Sequence, residues 1–186
     1  MRVLIVVASQ TGRTARMAEA VAAGAKEAGA DVVVRRADEA GDADLLAADA
    51  LILGSGVHMG GVESSMRAFF ERSAPLWMQG ALTGRIGAAF ATAGLGARGG
   101  GELALLSLLA FLAENGMLLV TVHNRLEGFG AAGCHWGPIA WTNLRQGVAG
   151  PSEAHLRMAR AHGRYVAECT MRWRAGAVPA PAEPAP

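Results

Sequence analysis

Near the amino terminus the chain reads Ser9-Gln10-Thr11-Gly12-Arg13-Thr14, a loop whose residue types could bind an anion. It follows the apolar run Val3 to Ala8 and precedes Ala15, Met17, Ala18, Val21, Ala22 and Ala25. The first run reads as a strand buried on both faces. The second has the spacing of one helix face. A helix amino terminus presents backbone N–H groups without intrahelical partners and about half a positive charge. Hydroxyls at Ser9, Thr11 and Thr14, with a glycine that lets the backbone come close, make this loop a phosphate site. The alternative is that Thr14 caps the helix while Ser9 and Thr11 are solvated.

The loop narrows the ligand. A triphosphate loop needs Gly-Lys-Ser/Thr, and no lysine is present. A dinucleotide fingerprint needs Gly-x-Gly-x-x-Gly, and Gly12 stands alone. A terminal monophosphate remains. Hydrogen bonds to a charged group contribute about 1.5–3 kcal/mol each, so a few would hold it without a cationic side chain.

The elements that must position this loop alternate along the chain. Asp31 to Arg35, Ala50 to Leu53, Arg85 to Thr92 and Met117 to Val122 read as further strands. Val62 to Ser73 and Glu102 to Glu114 read as helices, the latter stopped by Asn115-Gly116. Pro151 and Ser152 open a last helix, to about Trp173, with Ser152 as its cap. Five strands alternating with helices imply a parallel sheet covered on both faces. Ligands of such sheets sit at the carboxyl ends of the strands. Three specialised loops stand there: Ser9–Thr14, Gly54–Gly61 and Thr92–Gly101.

The 186 residues suffice for one domain over residues 1–174, followed by an Ala/Pro tail, 175–186, expected to be disordered. A hydrophobic content of 52% excludes a disordered chain as a whole. The net charge of +1 gives no footprint for nucleic acid or an anionic membrane. The longest apolar stretch, Leu103 to Ala113, is far short of the ~20 residues of a membrane span. Cys134 and Cys169 are too few for a disulfide framework, which points to the cytoplasm. Cys134-His135-Trp136 lies in the long connection from Asn124 to Gly150 and is expected on the same carboxyl edge, as a lid or as plain packing. It lacks partners at metal-ligand spacing, so no metal ligand is assigned. His155 and His162 read as surface or interface residues. Arg13 and Arg98 could contact a phosphate or be solvated.

On these motifs the chain resembles the flavodoxin-like flavoproteins, and within them the WrbA-like NAD(P)H:quinone oxidoreductases. Ser9 to Thr14 resembles their phosphate loop. Gly54-Ser55-Gly56-Val57-His58-Met59-Gly60 resembles a second flavin loop. Met66-Arg67-Ala68-Phe69-Phe70 and Leu76-Trp77-Met78-Gln79-Gly80-Ala81-Leu82-Thr83-Gly84-Arg85 resemble the family's most recognisable stretch. Thr92-Ala93-Gly94-Leu95-Gly96 resembles the third loop. The resemblance implies a flavodoxin-like doubly wound five-stranded parallel sheet of order 2-1-3-4-5. It implies FMN as cofactor, with Ser9, Gln10, Thr11, Gly12, Arg13 and Thr14 on its phosphate. Val57, His58, Met59, Gly60 and Thr92, Ala93, Gly94, Leu95, Gly96 would surround its ring. Trp77 would line the substrate pocket, across a subunit interface of a dimer or tetramer. The reaction implied is two-electron hydride transfer from NAD(P)H to a quinone. The cofactor performs the hard step, consistent with no acid–base pair or nucleophile at convincing spacing. Met59, Glu114 and Asn124 depart from the family's usual residues. Two other readings stay open: an electron-transfer flavodoxin-like module, and a flavin-less interaction protein on the same fold.

Overall fold

The computed structural model describes residues 1–94, 99–142 and 150–176. The chain begins with β1 (Arg2–Ala8), α1 (Arg13–Glu27), β2 (Asp31–Arg36), α2 (Asp42–Leu46) and β3 (Ala50–His58). It continues with β4 (Gly61–Val62), α3 (Ser64–Arg72), α4 (Ala74–Met78), β5 (Ile86–Gly94) and α5 (Gly100–Glu114). It closes with β6 (Leu118–Leu119), α6 (Phe129–Ala132), β7 (Gly133–Cys134), β8 (Gly137–Thr142) and α7 (Glu153–Ala175).

The sheet runs β2-β1-β3-β5-β8-β7, with β2, β1, β3, β5 and β8 mutually parallel. Alternation along the central strands builds two cores. Val3, Ile5, Ile52, Ala88 and Phe90 pack against Met17, Val21, Ala159 and Val166 of α1 and α7. Leu4, Val6, Leu51, Leu53, Ala89 and Ala91 face Met66, Phe69, Leu105 and Leu108 of α3 and α5. Each large apolar side chain so buried contributes about 1.5–3 kcal/mol. Helices therefore cover both faces, as the parallel sheet requires.

The fifth position departs from expectation. Of Met117 to Val122, only Leu118–Leu119 forms strand, beside Ile86 and Gly87. Beyond it the backbone bonds elsewhere. The Val120 amide still donates to Gly87, but its carbonyl faces His162 Nε2 at 3.4 Å, and the Val122 amide donates to His135. The upper half of the position is filled by β8, registered from Ala91–Ile139 to Gly94–Thr142. The fifth strand is thus split, with residues 120–136 inserted between its halves.

α1 and α7 cross at two glycines. A Cβ at Gly24 would overlap the Arg160 carbonyl, and one at Gly163 would overlap the Val21 carbonyl. Glu27 clasps Arg160 and Arg164 across the same contact, and these hydrogen bonds hold its carboxyl below the usual range. α7 reaches Ala175, and the rest of the expected tail, from residue 177, lies outside the described residues.

Candidate functional site

The loop after β1 is shaped by Gly12. It occupies the N-cap of α1 at φ +79° and, having no side chain, cannot itself cap that helix. A left-handed φ costs other residues about 1–2 kcal/mol, so glycine is required here. Ser9 Oγ accepts from the Ala15 amide at 3.2 Å. Gln10, Thr11 and Gly12 are exposed. Thr14 is not the cap; it is the second residue of α1, and it is buried. Its Oγ1 shares a 2.7 Å hydrogen bond with Thr92 Oγ1, at the end of β5.

The second loop is a hairpin. β3 pairs antiparallel with β4 through Val57–Val62 and His58–Gly61. Met59 (φ +48°) and Gly60 (φ +85°) form the two-residue turn, a type I′ geometry. Met59 is fully exposed at the tip, in a conformation a long side chain rarely adopts. Ser55 Oγ fixes the base, accepting from the Glu63 amide and donating to the Gly56 carbonyl, both at 2.9 Å.

These loops meet. A Cβ at Gly56 would lie 3.4 Å from Thr14 Oγ1 and 3.3 Å from His58 Nε2. Gly56 also registers with Thr92 across the sheet. The amino end of α5 abuts the hairpin, where a Cβ at Gly100 would lie 3.2 Å from Val57 Cγ1 and 3.4 Å from Gly60 Cα. Thr92 and Ala93 are buried, and Thr142 Oγ1 of β8 donates to the Ala93 carbonyl at 3.2 Å. The structure therefore brings Ser9 to Thr14, Val57 to Gly60 and Thr92 to Gly94 to one edge. Leu95, Gly96 and Arg98 lie outside the described residues.

Trp77 is not at that edge. It sits in α4, half-exposed, and faces a cleft of about 370 Å³ with Phe70, Ser107, Phe111, Glu114 and Asn115. Phe70 and Phe111 stack there, centroids 4.3 Å apart. The cleft adjoins the last turns of α5, whereas the hairpin adjoins its first. Ser107 to Glu114, on the cleft, lie about 10–20 Å along α5 from Gly100 at the hairpin.

Cys134-His135-Trp136 is also elsewhere. His135 and Trp136 form the turn between β7 and β8. Gly137 follows at mid-strand height, where a Cβ would overlap the Ala89 carbonyl. The lid reading fails because β8 reaches the loop edge with Thr142, its far end. His162 is no surface residue: it is fully buried, with Nδ1 unpartnered. Desolvation lowers its pKa to about 4. Asn115, Ser55 and Thr142 were not singled out from sequence, where Asn115 signalled only a helix end.

Residues 4–101 match the flavodoxin domain family. A protein from Methylocella silvestris named NAD(P)H dehydrogenase (quinone) is 36% identical over 90% of this chain and 96% of its own. One of that name from Archaeoglobus fulgidus is 33% identical over the same shares. The chain belongs to the flavodoxin domain family. A WrbA-like flavodoxin structure from Agrobacterium tumefaciens superposes with a TM-score of 0.72 at 24% identity, over 92% of this chain and 98% of that one. Within a flavodoxin domain, the edge carrying Thr14, Gly56 and Thr92 is the switch point of the sheet, where β1 leads outward to β2 on one side and to β3 on the other. Among the described residues no helix is long and apolar enough to cross a membrane.

Proposed function

We propose that this protein is an FMN-dependent oxidoreductase that moves a hydride from NAD(P)H to quinone-like acceptors. The observation that carries this reading is the convergence of three loops at Thr14, Gly56 and Thr92, beside a hydroxyl-rich helix start. The residues fit the cofactor. Ser9, Gln10, Thr11, Gly12 and Arg13 offer hydroxyls, an amide, backbone N–H groups and a guanidinium to its phosphate. Thr14 ties that loop to Thr92 rather than facing outward. Val57, His58, Met59 and Gly60 would offer one wall for the ring, and Thr92 to Gly94 the other. When bound, FMN supplies hydride acceptance and delivery. The chain would bind and orient it.

Trp77 contributes to the acceptor's site from a second copy. Within one chain α5 separates it from the loops, so it reaches a flavin only across an interface. The outward face of α5 supports such an assembly, since Leu103 and Leu106 are exposed there, as Trp77 and Met78 are on α4. A helix apolar on all sides is normally covered. Two free thiols, Cys134 and Cys169, fit a reducing cytoplasm.

The test is titration with FMN and riboflavin, followed by NAD(P)H oxidation with quinone acceptors. FMN binds at least about a hundredfold more tightly, as several charge-assisted hydrogen bonds require. Equal affinity for the two would remove the phosphate-loop assignment. Tight FMN binding without NAD(P)H-driven turnover would leave an electron-transfer module instead.

A further inference from the structure

The side chain of His58 points away from that of its neighbour Val57. Side chains alternate along β3, so Ala50, Ile52, Gly56 and His58 share one face, the face that packs on α1. Val57 takes the other. Contacts on the two faces agree. A Cβ at Gly100, at the head of α5, would lie 3.2 Å from Val57 Cγ1. A Cβ at Gly56 would instead lie 3.3 Å from His58 Nε2, 3.5 Å from His58 Cδ2 and 3.4 Å from Thr14 Oγ1. The edge of the imidazole and the second residue of α1 therefore close on one point, which a side chain at Gly56 would crowd. His58 is exposed, and no hydrogen bond engages its ring nitrogens among the described residues. Thr14 Oγ1 is already paired with Thr92 Oγ1. The start of α1 presents backbone N–H groups beside it, with Gln10, Thr11 and Gly12 exposed there. Within Ser9 to Thr14 the one cationic side chain is Arg13.

We infer that the His58 side chain serves the phosphate end of the cofactor site, donating from its imidazole to a phosphate oxygen of FMN, while Val57, Met59 and Gly60 stay with the ring. The inference rests on the reading of the loop edge as an FMN site and assigns one side chain within it. An imidazole offers an N–H when neutral and a positive charge when protonated, and a phosphate accepts both. Hydrogen bonds with a charged partner are the stronger kind, so this donor adds preference for a flavin that carries a phosphate. The phosphate then links the hairpin after β3 to the start of α1. A flavin without the phosphate leaves His58 unengaged. A histidine packed on the ring would instead treat the two flavins alike.

The experiment titrates FMN and riboflavin into the parent, His58→Leu and His58→Lys, and reads flavin fluorescence. Both ligands carry the same ring, so the ratio of their dissociation constants isolates the phosphate. His58→Leu removes the donor and keeps apolar bulk. Its FMN affinity falls about tenfold, while its riboflavin affinity stays within about twofold of the parent's. Retained riboflavin binding shows at the same time that the hairpin and the ring site are intact. His58→Lys restores a donor and a charge, and it keeps the parent's ratio within about threefold. Should leucine disturb the hairpin, His58→Ala gives the same loss in the ratio. Equal weakening of both flavins would put the imidazole at the ring, and no weakening of either would put it outside the site; each result overturns the inference. A ratio as low in His58→Lys as in His58→Leu would leave an effect of shape and overturns the donor assignment. The underlying reading is tested by the parent alone. A parent that binds FMN and riboflavin equally fails the phosphate loop itself, whereas a parent that prefers FMN, with a ratio unmoved in His58→Leu, fails only the role of His58.

Discussion

Thr14 and Thr92 share one hydrogen bond where neither side chain reaches water. Removing one hydroxyl strands the other. Thr14→Ala therefore lowers stability by about 1–3 kcal/mol, read as a shift in the urea midpoint. The double change with Thr92→Ala costs less than the two single costs added together, because no orphan remains. Additive costs would place the two hydroxyls in separate environments. His162 makes a second residue-scale prediction. Its folded pKa of about 4 lies below the ordinary 6.5, because burial disfavours the charged ring. Its contribution is complete above pH 6.5, where both folded and unfolded chains hold it neutral. As pH falls toward 4 the unfolded chain takes up the proton first, and stability drops by roughly 3 kcal/mol in total. His162→Leu flattens the pH dependence of the melting temperature within that window. An unchanged slope would assign the acid sensitivity to other groups.

At the scale of elements, the crossing of α1 and α7 is set by two missing side chains. Gly163→Ala places a methyl group against the Val21 carbonyl and destabilises the protein by about 1–3 kcal/mol in chemical denaturation. A neutral effect would mean that the helices separate freely. The neighbouring glycine in that contact, Gly24, shows what the sequence alone conceals. Helical spacing in residues 15–25 reveals which face of α1 is buried, but not the helix lying on it. The main strands and long helices were legible because each carries many residues of one period. The split fifth strand was not. Met117 to Val122 looks uniform, yet its pairing is decided by competitors at His135, His162 and Gly137, distant in sequence. Within the connection from Asn124 to Gly150, Pro138 disguised β8, since proline argues against a strand. The phosphate-type loop could be found from Ser9 to Thr14, whereas the inward turn of Thr14 depends on Thr92. Trp77 was visible as a large aromatic before a glycine turn, but α4 around it spans only Ala74–Met78, too short for a periodic signal.

At the scale of the whole molecule, the loop edge and the Trp77 cleft lie at opposite ends of α5. One copy of the chain separates the two halves of the proposed reaction, and the proposed assembly would reunite them. Leu103→Glu together with Leu106→Glu puts two like charges on the outward stripe. Light scattering then reports a smaller species, and quinone reduction falls at least about tenfold, while FMN content stays close to that of the parent. A parent protein that is already monomeric and fully active would refute the shared site.

The pairing of α1 with α7 also bears on how the protein is made. α1 leaves the ribosome well before its partner helix, which begins at Glu153, some 125 residues after α1 ends at Glu27. At about 5–20 residues per second, the nascent chain carries the apolar stripe of Met17, Ala18 and Val21 without its final cover for roughly ten seconds. Growing chains halted before Glu153 should therefore be held by chaperones or digested by protease, whereas chains that include α7 close the stripe.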